Sequence, residues 1–383
     1  MADVGWAELG QRIAAARESR HLSQGALAEM AGLNQSVISR METGKRPISS
    51  LELVDIADSL RVSVLELLNE AGRHSDLAVA ARVAEASRPA SVERALARAR
   101  DILGIQQMLN ELGIPRAPAE RLTYEAPSGS SFRQGAQVAG EVRLQLRLGN
   151  EPIAKLADLA EERFGVDVAL EPLPEGVDGL SLNTQQSALI LVDSDPVYGR
   201  QRFTIAHELG HYIFGDAEPS LVDEGLGFTS HRDREQRANA FAAHFLLPLD
   251  SIRASAVEGT LNEQTCLELA FTYGISLEAF TWHAQKSDVI DRDFARYLRA
   301  AGPKQLAFRY GRVADWEETQ LHRRIIRAPS HILRQAFEAY QLGMIGIGPI
   351  SVLMIRSDSE ALRAELASSG ISPHARELED GVH

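Results

Sequence analysis

His207-Glu208-Leu209-Gly210-His211 sets two imidazoles four residues apart with a carboxylate between them. On a helix, that spacing puts both rings on one face, one turn apart, where they can reach a single Zn2+ at about 2.0–2.1 Å. A hydrolytic zinc site takes three protein ligands and leaves one position for water, whose pKa the ion lowers to about 7. Glu208, beside the ion without being bound to it, is then the base that takes the water's proton and passes it to the leaving amine. The lead-in Arg202-Phe203-Thr204-Ile205-Ala206 has no Gly or Pro, and Phe203, Ala206 and Ile213 suggest a buried stripe, so a helix is predicted.

A third ligand is expected downstream. Along 231–248, Ala238, Phe241, Ala242, Phe245 and Leu246 form an apolar face that would pack on the first helix, while Glu235 and Asn239, four apart, share another face. A carboxylate carried toward a growing core needs a positive partner, and Zn2+ supplies one. The alternative is a surface Glu235 paired with Arg232 or Arg237. Transition-state stabilisation needs a further donor, for which Tyr212, His231 and His244 are the candidates.

Arg-Gln-Arg-Phe-Thr-Ile-Ala-His-Glu-Leu-Gly-His-Tyr at 200–212 and Glu-Gln-Arg-Ala-Asn-Ala-Phe-Ala-Ala-His-Phe-Leu-Leu-Pro at 235–248 together resemble the ImmA/IrrE-type metallopeptidases. The likeness spans roughly 140–290, with Leu148-Gly149-x-x-Pro152-Ile153 opening a helix and Phe164-Gly165-Val166 beginning a strand. It implies a zinc-dependent endopeptidase with ligands His207, His211 and Glu235 and base Glu208, in a family known for cutting helix-turn-helix repressors or related regulatory proteins. The family often carries Glu or Gln where this chain has Arg237, which is not a ligand position.

The elements that must hold these residues read as helix 152–164, short strands at 166–170, 179–182 and 187–192, then the two ligand helices. An edge strand of such a sheet could hold an extended substrate by main-chain hydrogen bonds. Between the ligand helices, 215–231 is an acidic loop with Asp216, Glu218, Asp223 and Glu224.

Residues 6–68 give five short helices. Leu9, Ile13 and Ala16 mark the first, Ser23 caps the second, Ala31-Gly32-Leu33 is the turn, Asn34 can cap the third and Gly44 ends it. Ser49-x-x-Glu52 and Ser63-x-x-Glu66 are capping boxes for the last two. Leu22-Ser23-Gln24, Ala28, Ala31-Gly32 and Ser39-Arg40-x-Glu42-x-Gly44 look like the XRE or Cro-type DNA-binding domain. That resemblance puts Gln35, Ser36 and Ser39 on the recognition helix and makes Gln24, Arg40, Lys45 and Arg46 mainly phosphate or positioning contacts. Yet residues 1–73 carry eight Lys/Arg against ten Asp/Glu. Binding to an operator-like duplex must then rest on a local patch or a dimer, or else the domain docks protein.

The predicted fold class is mostly α with a small β-sheet (α+β): a helix-turn-helix domain at 1–72, a helical connection at 73–140, a metallopeptidase domain at 141–290 and a helical region at 291–383. Ser91 caps a helix with Val92, Leu96, Ala99, Leu103 and Leu109, long enough for a homodimer contact, though packing on its own chain is the default. Residues 115–140, rich in Pro, Ser and Gly, read as linker. The last region is expected to cap the peptidase, with a helix over 330–342. A net charge of −13, no apolar run of about 18 residues, no secretory start and a single cysteine, Cys266, point to the cytoplasm without a membrane partner. Two functions follow: a DNA-binding zinc endopeptidase that makes limited cuts in a regulatory protein, or a transcription regulator whose peptidase fold serves as sensor or structural metal site. Glu208 favours the first, because a structural zinc site has no use for a base.

Overall fold

In the computed structural model of the chain, the described residues are 6–48 apart from 19, 21, 32 and 47, scattered positions of 52–67, then 90–114, 124, 127–183, 187–215, 228–256 and 260–373, with side chains 8 and 228–231 outside that set. The chain divides into two compact units, Met1–Val79 and Ala80–His383.

In the first unit, α1 (Trp6–Glu18), α2 (Gln24–Met30) and α3 (Gln35–Glu42) close over a core of Leu9, Ile13, Leu27, Ile38 and Met41, joined by Ile48, Leu53, Ile56, Leu60 and Leu67. Ser23 caps α2 by accepting from the Ala26 amide at 3.1 Å. Asn34 stands at the N-cap of α3 but its side chain makes no cap bond. Gly44 ends α3 at φ 67, a left-handed conformation that costs glycine nothing, while its amide reaches the Met41 carbonyl at 2.9 Å. Beneath the helices lies a buried ion pair: Arg17 Nε donates to Glu42 Oε1 at 2.7 Å and Nη2 to Oε2 at 3.0 Å. The capping residues Ser49, Ser63 and Glu66 lie outside the described residues.

The second unit is built on a three-stranded sheet ordered β1-β3-β2, from β1 (Val166–Glu171), β2 (Gly179–Asn183) and β3 (Ala188–Asp193). β1 runs parallel to β3 with Val168 opposite Ile190, and β2 runs antiparallel with Ser181 opposite Ile190. The unbroken apolar run 188–192 of β3 needs cover on both faces, and it has it. Val166, Val168, Ile190 and Val192 share one core with the helices that lie between residues 131 and 309; Ala169, Leu182, Leu189 and Leu191 share another with the helix over 90–111 and the chain's last helices.

α4 (Ala90–Glu111) packs with α14 (Ser330–Gln341), and the buried Gln106 amide donates to Gln335 Oε1 at 3.1 Å. From Ala80 on, the connecting region belongs with the C-terminal region to the same unit as the sheet. The linker reading of 115–140 fails at its end, since α5 (Ser131–Gln145) is a helix. Gly135 is there for space: a Cβ on it would collide with the Arg237 carbonyl and sit 2.7 Å from the Phe241 nitrogen of a neighbouring helix. α6 (Leu156–Leu159) continues as a π-turn, Ala160–Phe164, into β1. Next come α7 (Tyr198–Ile213) and α8 (Phe228–Leu246), which cross closely, and then α9 (Leu249–Ala254), α10 (Glu263–Tyr273), α11 (Leu277–Lys286), α12 (Arg292–Arg309) and α13 (Val313–Leu321). β1's outer edge is closed by the C-terminal segment, where Leu170 and Arg327 exchange two backbone bonds of 2.9 Å. β2 is the other edge, and among the described residues it has no strand beyond it.

Candidate metal centre

α7 and α8 carry the candidate residues. α7 is anchored by Arg202, whose Nη2 donates to the Ile153 carbonyl at 2.6 Å and Nε to the Gly274 carbonyl at 3.0 Å. Where the helices cross, Gly210 lets α8 approach: a Cβ there would lie 3.1 Å from Phe241 Cδ1 and 3.3 Å from Ala238 Cα. The crossing brings His207, His211 and Glu235 together. His207 Nε2 lies 3.1 Å from His211 Nε2, Glu235 Oε2 lies 3.4 Å from His207 Nε2, and Glu235 Oε1 lies 3.3 Å from His211 Nε2. Hydrogen bonds to His207 and then His211 hold the Glu235 carboxyl well below the usual carboxylate range, against its burial.

Those separations test the fit to zinc. Ligand distances of 2.0–2.1 Å at tetrahedral angles require donor atoms about 3.3 Å apart. The three donors stand at 3.1–3.4 Å and comprise two imidazole nitrogens and a carboxylate, so the set fits. His207 is held from behind, where Asn239 Oδ1 accepts from its Nδ1 at 3.0 Å. A neutral imidazole that donates through Nδ1 keeps its Nε2 lone pair for a metal. Asn239 was visible as the partner of Glu235 on one helix face, but this bond across helices was not.

Glu208 stands on α7 toward the sheet. Ser181 Oγ, from the middle of β2, donates to Glu208 Oε2 at 2.6 Å and so joins the carboxylate to the free edge strand. No sequence spacing links these two residues, which are 27 apart.

Two of the proposed transition-state donors, Tyr212 and His244, are not gathered at the triad. Tyr212 is buried in the core with its hydroxyl donating to the Phe164 carbonyl at 3.3 Å, because one residue past His211 the helix has already turned inward. His244 packs edge-on against Phe132 and His283, at 5.6 and 4.4 Å between ring centres. Burial first, then the neighbouring charge of His283, lowers its pKa to about 3. Nine residues beyond Glu235, it lies roughly half a turn round α8 from the metal face. The side chain of His231, and residues 216–227 with the acidic loop, lie outside the described residues. Arg237, at the departing position, lies 4.4 Å over the Phe214 ring. Asp233 accepts from Ser131 Oγ at 3.0 Å.

In the first unit Gln35, Ser36, Arg40 and Lys45 are exposed and Ser39 is half-buried. Arg40 Nε turns back to the Ser36 carbonyl at 3.1 Å, and Gln24 Nε2 donates to Glu42 Oε2 at 2.7 Å. Gln24 thus extends the buried Arg17–Glu42 pair outward.

Residues 161–281 match the IrrE N-terminal-like domain of the M78 peptidases, and residues 13–67 match the helix-turn-helix family. The chain joins a helix-turn-helix domain to an IrrE-like peptidase-family domain. The IrrE-like match takes in β1 to β3, α7 and α8, and the first half of α11. Among solved structures, the restriction-modification controller protein C.AhdI from Aeromonas hydrophila is 32% identical over 16% of this chain and 94% of its own, with a TM-score of 0.16. A Mycobacterium tuberculosis transcriptional regulator is 22% identical over 40% of this chain and 46% of its own, at a TM-score of 0.31, so the chain spans less than half of that protein. Bacillus thuringiensis PlcR, solved with the peptide PapR7 and DNA, is 12% identical over 95% and 99%, at 0.20. These overlaps are too loose to argue from. No curated protein matches the chain. No described helix is long and apolar enough to cross a membrane.

Proposed function

We propose that the chain is a DNA-binding zinc endopeptidase that makes limited cuts in a regulatory protein. The observation that carries this reading is the pairing of a zinc-spaced His207-His211-Glu235 set with a carboxylate, Glu208, that is outside the set and tied to an open strand edge.

Zinc bound there supplies a Lewis acid and lowers the pKa of its water. Asn239 fixes the His207 ring and its tautomer. β2 offers its free main-chain edge to an extended substrate, which aligns the scissile bond across Ser181 and Glu208. Ser181 orients Glu208, which takes a proton from the attacking water and delivers it to the leaving amine. The N-terminal unit binds a duplex through Gln35, Ser36 and Ser39 on α3, with Arg40, Lys45 and Gln24 at or near phosphate. A peptidase held on DNA meets neighbouring bound proteins at high effective concentration, so a helix-turn-helix repressor or similar regulator is the substrate class.

The test is cleavage of such partners by the zinc-loaded full chain, beside Glu208→Gln and a chelator control. Expected are one or a few cuts, lost with Glu208→Gln and with chelator, and little digestion of casein. General digestion of casein at a comparable rate contradicts the reading. Absence of cutting with metal-replete protein and every candidate partner favours a regulator whose metal site senses rather than cleaves.

A further inference from the structure

The face of α7 turned away from the metal triad borders a second feature. A cavity of about 230 Å³ lies there, lined by Tyr198, Arg202 and Ile205 of α7, by residues around the start of α6, by Leu170 of β1, and by His322, Ile325 and Arg327. One wall, with His322, Ile325 and Arg327, lies beyond the 161–281 match, so the C-terminal segment closes that side of the cavity.

The wall is mainly apolar, from Leu156, Leu170, Ile205 and Ile325, with a planar element where Tyr198 and His322 stack at 4.2 Å. Its charge is out of balance. Arg327 is satisfied: it makes a bidentate pair with Glu161, reaches Asp158 Oδ1 at 2.8 Å and donates to Ser330 Oγ at 2.9 Å. Asp158, the lone carboxylate of the lining, is consumed by that pair. Two cations remain.

Lys155 is exposed at the rim and has no ion-pair partner among the described residues. Arg202 is 4% exposed, and every bond it makes goes to a neutral oxygen: the carbonyls of Ile153, Ala154, Tyr273 and Gly274 and the Tyr198 hydroxyl. Hydrogen bonding satisfies its donors but leaves its charge uncompensated. Burial pushes its pKa below the ordinary guanidinium value, with Tyr198 acting in the opposite sense. A buried cation without a counterion is costly, and an anion seated beside it recovers part of that cost.

We propose that this cavity binds a small planar carboxylate, with the ring against the apolar wall and the Tyr198–His322 stack and the carboxylate in the field of Arg202 and Lys155. The volume sets the size, since pockets for drug-sized ligands span roughly 300–1,000 Å³. A single-ring or bicyclic aromatic acid fits where a nucleotide does not. None of the metal ligands lines the cavity, so binding is measurable whether or not the metal centre cleaves anything.

The test is calorimetric titration of the full chain with salicylate, with salicylamide for the ring without charge and sulfate for charge without a ring. Salicylate should bind at one equivalent, and the other two at least tenfold more weakly. Lys155→Glu, at an exposed position, should weaken salicylate at least fivefold, and Ile325→Trp, which fills the cavity from its half-exposed wall, should weaken it more than tenfold. Both variants should melt at the wild-type temperature. Lack of salicylate binding at millimolar concentration overturns the proposal. So does equal affinity for sulfate, or unchanged affinity in both variants, which would place the ligand elsewhere.

Discussion

Replacing Asn239 by alanine removes the acceptor that holds the back of the His207 ring. The bond from His207 Nδ1 to Asn239 Oδ1 is 3.0 Å long and part-buried, and no other acceptor for that nitrogen is seen among the described residues. A neutral hydrogen bond of this kind contributes about 0.5–1.5 kcal/mol net. Its loss also frees the ring to rotate and to put its proton on Nε2, the atom that faces Glu235 and His211. Partners of metal-bound histidines cost about 10–100-fold in metal affinity when removed, or about 1.4–2.8 kcal/mol. Asn239→Ala should therefore raise the zinc dissociation constant at least tenfold in a competitive titration against a chromophoric chelator, with circular dichroism unchanged. Asn239→Asp, which keeps an acceptor and adds charge, should bind zinc at least as well as wild type. A dissociation constant for Asn239→Ala within twofold of wild type refutes the positioning argument.

Gly135→Ala should destabilise the second unit by about 1–3 kcal/mol or more in denaturant unfolding, because the added methyl meets the backbone of α8; an unchanged midpoint contradicts that packing. Arg17→Met leaves Glu42 buried without its cation and should cost about 3–5 kcal/mol in the first unit, read from amide exchange of α1 to α3; loss below about 1 kcal/mol contradicts the buried pair. His244 and His283 have pKa values lowered to about 3 and about 4, chiefly by burial. Lowered folded values mean that the unfolded chain binds the protons, so stability is complete above about pH 6.5 and falls below it, by about 1.4 kcal/mol per pH unit for each histidine. Unfolding at pH 7.5, 6 and 5 should show that slope, and His244→Phe should make it shallower; identical slopes contradict it. Gln35→Ala should relax sequence preference on DNA while Lys45→Ala weakens all duplexes alike with a flatter salt slope; equal wild-type binding to random and selected duplexes at physiological salt contradicts the recognition helix.

Much of the metal region was legible because helical spacing is a local rule. Four residues separate His207 from His211 and Glu235 from Asn239, and the strands end within a residue or two of their apolar runs. The bonds of Ser181 to Glu208 and of Asn239 to His207 were not legible, since they depend on how β2, α7 and α8 meet. Helical phase could have set Tyr212 and His244 aside, because neither shares a face with the ligands. Ser130 and Gly135 read as linker because small polar residues mark both loops and close helix contacts, and only the approach of α8 decides between them. The cavity behind α7 is equally a product of tertiary structure, formed by residues from 154 to 327.

The central claim rests on the division of labour between Glu235 and Glu208, and zinc content measured by elemental analysis of the purified full chain tests it most directly. Wild type and Glu208→Gln should each hold one equivalent of zinc, because only a proton acceptor changes, while Glu235→Ala should lose most of it. A full equivalent in Glu235→Ala, bound as tightly as in wild type, contradicts the assignment of the third ligand.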